Sequence, residues 1–178
     1  IWFVASGSHH LSLLGSRKFV AKRLDTDRQA FLLNLTLDFS SGNRALGDFG
    51  YGYYIDYRGE AGDPVRGISR ILRKHAERMA PILKAPDPRR TLSDTVNDQD
   101  QRWWRSNIPS RFALDCEIFN AASYQSMTMA TIDDSRPLTD TPFDTMDRVN
   151  LANTWRQTQT LACAMYHLAN DTSDTSSI

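Results

Sequence analysis

Ile1-Trp2-Phe3-Val4-Ala5 runs into Ser8-His9-His10-Leu11-Ser12-Leu13-Leu14-Gly15-Ser16-Arg17 at the head of this chain, and that stretch decides how the rest is read. A short apolar run has the pattern of a buried strand. From Ser8 to Leu24 the pattern turns helical: Leu11, Leu14, Lys18 and Val20 to Ala21 form a ragged stripe. Arg17, Lys18, Lys22 and Arg23 suit a helix C-terminal half, where the macrodipole favours cations. Two histidines, His9 and His10, therefore sit at a strand-to-helix junction.

Working outward, Phe31 to Phe39 is a second strand, with Leu33, Leu35, Leu37 and Phe39 alternating onto one face. Ser40-Ser41-Gly42-Asn43 breaks it. Phe49 to Tyr57 is aromatic-rich, glycine-spaced and extended. Val65, Ile68, Ile71, Leu72, Ala76, Met79 and Leu83 follow helical spacing closely, with Pro81 near the end of that helix. Residues 86–110 are polar and read as a long surface loop. Ala113 to Ala122 is a short helix, Tyr124 to Ile132 a strand, and Asp133 to Pro142 a loop. A last helix carries Val149, Leu151, Trp155, Leu161, Ala162, Met165 and Leu168, with Asp144 or Thr145 as its cap.

Strands alternating with helices predict an α/β fold with a mixed, largely parallel sheet flanked by helices. One domain is expected over residues 1–170, followed by a frayed tail at 171–178 that is rich in Ser, Thr and Asp. The chain of 178 residues has no initiator methionine and opens directly in an apolar strand, the pattern of a fragment or a processed product. Ligands in such sheets collect at the carboxyl ends of strands. That rule selects His9-His10, Asp38 and the loop from Asp133 to Asp144.

Composition narrows the partners. Lys plus Arg and Asp plus Glu number 21 each, so no net charge draws the chain toward nucleic acid or an anionic membrane. Trp103-Trp104 between two arginines fits a packed loop or a protein contact better than base stacking. No apolar run approaches the roughly 20 residues of a membrane span. Cys116 and Cys163 lie in apolar company and read as buried free thiols. His75 and His167 lie on helices and read as interface or surface residues.

Three stretches carry a family likeness: Leu13-Leu14-Gly15-Ser16-Arg17, Leu35-Thr36-Leu37-Asp38, and Asp140-Thr141-Pro142-Phe143-Asp144-Thr145-Met146-Asp147. Together they resemble the di-zinc aminopeptidase family, exopeptidases typified by bacterial leucyl aminopeptidases, whose last motif reads His-Thr-Pro-x-Asp-Thr. The resemblance covers most of the chain and implies a zinc-exopeptidase-like (phosphorylase/hydrolase-like) fold. It places the general-base position on His9 and zinc-ligand positions on His10, Asp38 and Asp140. The family's acidic pair is replaced here by His9 and His10, and its last histidine ligand by Asp140. Its first two ligands would lie upstream of Ile1.

A di-zinc site needs several ligands, an open position for water and a carboxylate to take the proton. With these substitutions, the resemblance implies a family domain with a lost or remodelled zinc site, acting through binding or assembly on a peptide or protein partner. The alternative is a divergent zinc-dependent aminopeptidase whose remaining ligands lie upstream. A third reading is a structural remnant that oligomerises through its exposed aromatics. Plainer roles stay open for each residue: His9 solvated, Asp38 a turn-forming side chain, Asp140 and Asp144 helix caps. An extracytoplasmic location is implied by the family alone.

Overall fold

In a computed structural model, the structure describes residues 3–7, 11–24, 33–49, 63–84, 92–94, 114–139 and 141–170, with the backbone alone for 63–67 and 93–94. In chain order the elements are α1 (Leu14–Phe19), which runs on through a π-helical turn at Val20–Leu24, then β1 (Asn34–Asp38), β2 (Leu46–Phe49), α2 (Asp63–Met79) and β3 (Leu92–Asp94). There follow α3 (Cys116–Ala121), β4 (Ser126–Thr131), a 3-10 turn at Met146–Arg148 and α4 (Leu151–Asn170).

The four strands make one mixed sheet in the order β1-β4-β2-β3. β1 pairs with β4 in parallel, with Asn34 opposite Ser126 and Asp38 opposite Ala130. β2 pairs with β3 in parallel and with β4 antiparallel. β2-α2-β3 is thus a helix-crossover unit, the connection that adjacent parallel strands require. β4 is central, and all six of its residues are buried, because helices cover both faces.

Alternation along β4 divides the core. Met127 and Met129 point to one face, where Leu46, Ile68, Leu72, Ala76, Leu92 and Ala164 join them under α2 and α4. Ala130 points to the other, with Phe49, Leu114, Cys116 and Ile132. Beyond α3 a smaller cluster of Val20, Leu24 and Phe119 ties in α1. Ser16 Oγ donates to Asp115 at 2.5 Å, and the Tyr124 hydroxyl donates to the Leu24 carbonyl at 2.7 Å. Burial of aliphatic side chains on the α2/α4 face, at about 1.5–3 kcal/mol each, is the main stabilising contribution.

The α/β expectation holds at this level, and several finer expectations are corrected. Phe3 to Gly7 is not a strand: it is irregular and Phe3 is 94% exposed. Among the described residues no strand pairs with it, and an apolar run without a backbone partner cannot form a ladder. Gly15 N–H donates to the Gly7 carbonyl at 3.1 Å and anchors its end. A Cβ on residue 15 would lie 2.2 Å from that oxygen, so the close approach explains the glycine in Leu14-Gly15-Ser16.

α1 begins at Leu14 rather than Ser8, after Ser12 and Leu13 in left-handed conformation (φ 54° and 57°). β2 precedes the predicted aromatic strand: it uses Leu46 to Phe49, and residues 50–62 lie outside the described residues. The predicted loop at 86–110 contains β3, three residues that pattern reading is too coarse to detect. α4 starts at Leu151, not at Asp144 or Thr145; Asn150 Oδ1 accepts the Asn153 N–H at 3.2 Å and is the cap. Trp103-Trp104 and the tail 171–178 lie outside the described residues.

Candidate functional site

β1 and β2 run in opposite directions with β4 between them, so residues 39–45 must cross the carboxyl end of β4. That crossing builds the best-defined polar site. Ser40 N–H donates to Thr131 Oγ1 at 2.9 Å, and the same hydroxyl donates to the Ser40 carbonyl at 3.1 Å. Ile132 N–H closes the far side onto the Ala45 carbonyl at 3.1 Å.

From above, α4 lowers two side chains onto the loop. Gln157, fully buried, brings its two Nε2 hydrogens within reach of three acceptors, the Ser40 carbonyl at 2.7 Å, the Asn43 carbonyl and Thr131 Oγ1 at 3.0 Å. Its Oε1 is buried with no hydrogen-bond partner among the described residues, a geometry that suits a bound water. Asn153 Nδ2 donates to the Ser41 carbonyl at 2.9 Å.

From the side, the turn after β4 supplies an acid and a base. Asp134 accepts from Ser40 Oγ at 2.6 Å, from Gly42 N–H at 3.1 Å and from Arg136 N–H at 3.1 Å. Partial burial works against its charge, but the Ser40 hydroxyl, the two amides and the Arg136 guanidinium outweigh it and hold the carboxyl below its usual range. Asp133 and Arg136 adopt positive φ (55° and 46°), which folds the turn back toward β1. Arg136 then grips Asp38 at the end of β1: Nη1 lies 2.6 Å from the carboxylate and Nη2 donates to the Asp38 carbonyl at 3.0 Å.

Of the four residues proposed as base or metal positions, Asp38 alone falls among the described residues. His9, His10 and Asp140 lie outside them. Asp38 does stand at a strand carboxyl end, where the topology rule places ligands, but its carboxylate already holds a guanidinium. Among the described residues no three His, Cys, Asp or Glu side chains converge as a metal site would require. The cation that Asp38 faces among the described residues is the Arg136 guanidinium. Pattern reading selected the loop that contains Arg136 and Asp134 without singling out either. Gln157 shares one helical face with Thr160 and Ala164, and a polar residue on a buried face is the signal that could have found it.

The remaining candidates are structural. His75 is buried and stacks flat on His167, ring centroids 4.7 Å apart, at the α2–α4 interface. Cys116 and Cys163 are both free; Cys116 is fully buried, whereas Cys163 is only half-buried. Burial pushes the Cys116 thiol up to about 12, which leaves it protonated and inert. Asp48 is a buried acid that accepts a hydrogen bond from Ser69 on α2. Asn34 donates to Ser126 Oγ at 2.7 Å across β1 and β4, so its amide is engaged in the sheet. Among the described residues no helix is long and apolar enough to cross a membrane.

No family model, no curated protein and no solved structure matches this chain.

Proposed function

We propose that this chain is a zinc-exopeptidase-like domain whose metal and general-base positions have been replaced, and that it acts through binding or assembly rather than hydrolysis. The observation that carries this reading is the Arg136 to Asp38 ion pair. In the proposed correspondence Asp38 is the one retained acidic ligand. Here its negative charge is met at 2.6 Å by a guanidinium from the next loop. An arginine fork and a metal ion compete for the same carboxylate lone pairs. With the carboxylate bound at its side chain and its own carbonyl bound as well, the end of β1 is organised around an internal cation.

The substitutions at His9, His10 and Asp140 support the same reading from the resemblance. A histidine in place of the base carboxylate leaves the proton of an attacking water without its usual acceptor. What persists is a hydrogen-bonded crossing of residues 39–45 at the sheet end, tied down by Asp134 and by the buried Gln157, together with neutral overall charge. Those properties suit a peptide or protein partner.

Elemental analysis of the full chain after zinc reconstitution, beside His10→Ala and Arg136→Ala, tests the reading. Less than a tenth of an equivalent of zinc in the unaltered chain is the expected result. About one zinc per chain that disappears in His10→Ala would overturn it and establish the divergent aminopeptidase, for which hydrolysis of aminoacyl substrates would be the next assay.

A further inference from the structure

α4 carries an exposed face that no other described element packs against. Gln157, Thr160 and Ala164 point inward, while Leu151, Trp155 and Tyr166 are 72%, 62% and 67% exposed. With Thr158 and Ala162, also exposed, these side chains fall within about 80° of arc on an α-helix. The stripe has no charge. The only Asp, Glu, Lys or Arg in the helix is Arg156, whose Nη1 donates to the Leu83 carbonyl, and His167 is turned onto His75. On the segment leading into the helix Phe143 and Met146 are exposed as well.

We infer that this face pairs with the same face of a second copy of the chain, α4 against α4, antiparallel about a two-fold axis near Thr160. The order of side-chain sizes is the reason. Along the stripe the residues run large, small, small, large: Trp155, Thr158, Ala162, Tyr166. Trp155 and Tyr166 are centred between 160 and 161, and Thr158 and Ala162 on 160. A two-fold axis there brings Trp155 of one copy onto Tyr166 of the other, and Thr158 onto Ala162, each contact made twice. That is the self-complementarity an isologous interface demands.

The small central residues let the helices approach, while the aromatics, about 16 Å apart along the helix, close over both ends. An uncharged stripe meets its own copy without like-charge repulsion. Leu151, Trp155 and Tyr166 together expose on the order of 500 Å² per copy, below the ~800 Å² per partner of a standard interface, so the pairing is a weak one that depends on concentration. The inference goes beyond the proposed function and does not depend on it, because a zinc-loaded peptidase could pair through the same helix. Oligomeric state and zinc content are read separately.

Sedimentation equilibrium of the full chain, over a concentration series, is the test. A species of twice the 20.2 kDa chain mass is expected. Trp155→Lys and Tyr166→Glu should each weaken the dimer by about thirtyfold or more with unchanged circular dichroism, since both positions are exposed. The double variant Trp155→Lys/Tyr166→Glu should regain dimer, because the two-fold axis sets each lysine against the partner's glutamate. A monomer at every concentration, a dimer indifferent to both single variants, or a double variant as monomeric as the singles would overturn the inference.

Discussion

Arg136 holds Asp38 at two points, the carboxylate at 2.6 Å through Nη1 and the backbone carbonyl at 3.0 Å through Nη2. Those two bonds fasten the turn after β4 to the last residue of β1. The Arg136 side chain is 8% exposed and that of Asp38 24%, between the surface limit below about 1 kcal/mol and the buried limit of about 3–5 kcal/mol. Arg136→Ala is expected to destabilise the fold by about 2 kcal/mol in urea denaturation. Arg136→Lys should recover less than half, since a single ammonium lacks the planar fork that reaches both acceptors. Full recovery by lysine would show that charge alone matters at this position.

Asp134 ties residues 40, 42 and 136 together, and its lowered pKa makes that contribution dependent on pH. The sign follows from the direction: stabilisation by the carboxylate is complete above the ordinary Asp value of about 3.9 and is lost as pH falls through the lower folded-state value. Asp134→Asn should therefore be less stable than the unaltered chain near neutrality, and the two should converge in strong acid. Thermal melts across that range check this; a gap that stays constant would place the effect in packing rather than charge.

Gly42 lies against the same carboxylate. A Cβ there would sit 2.3 Å from Asp134 Cγ. Because three hydrogen bonds hold that carboxylate in place, Gly42→Ala must displace it and should cost about 1–3 kcal/mol. It should also flatten the acid dependence seen for Asp134, which a simple loop perturbation elsewhere would not do.

Gln157 is the keystone of the crossing loop from the α4 side. Gln157→Leu leaves two loop carbonyls and the Thr131 hydroxyl without their amide donor, at an expected cost of about 3 kcal/mol. Amide hydrogen exchange should accelerate at residues 39–45 well beyond any change in β2. Equal acceleration throughout would indicate global loosening instead.

Cys116 is expected to resist iodoacetamide at about pH 8 in the native protein and to react on unfolding, because a thiol raised to about 12 presents almost no thiolate. Peptide mass mapping of Cys116 with and without denaturant separates the two states.

Much of this architecture is legible in local pattern. The spacing of Ile68, Leu72 and Ala76 announces α2, and the run from Tyr124 to Ile132 announces the strand that is β4, Ser126–Thr131. The turn at Ser40-Ser41-Gly42-Asn43 is announced by residues that break strands. Where the reading failed, the missing information was a partner. Phe3-Val4-Ala5 has strand composition, but among the described residues no strand pairs with it. β3 is only three residues long and exists because β2 lies alongside it.

The site divides the same way. Local pattern and topology placed Asp38 at a strand end and marked the Asp133 to Asp144 loop as a place where polar groups gather. Tertiary structure alone joined them. Arg136 is 98 residues from Asp38 and Gln157 is 117 from Ser40. Periodicity reports which face a side chain takes on its own element, whereas which charges meet depends on strand order. Here the insertion of β4 between β1 and β2 sends residues 39–45 over its end and gives Asp38 a guanidinium for a neighbour.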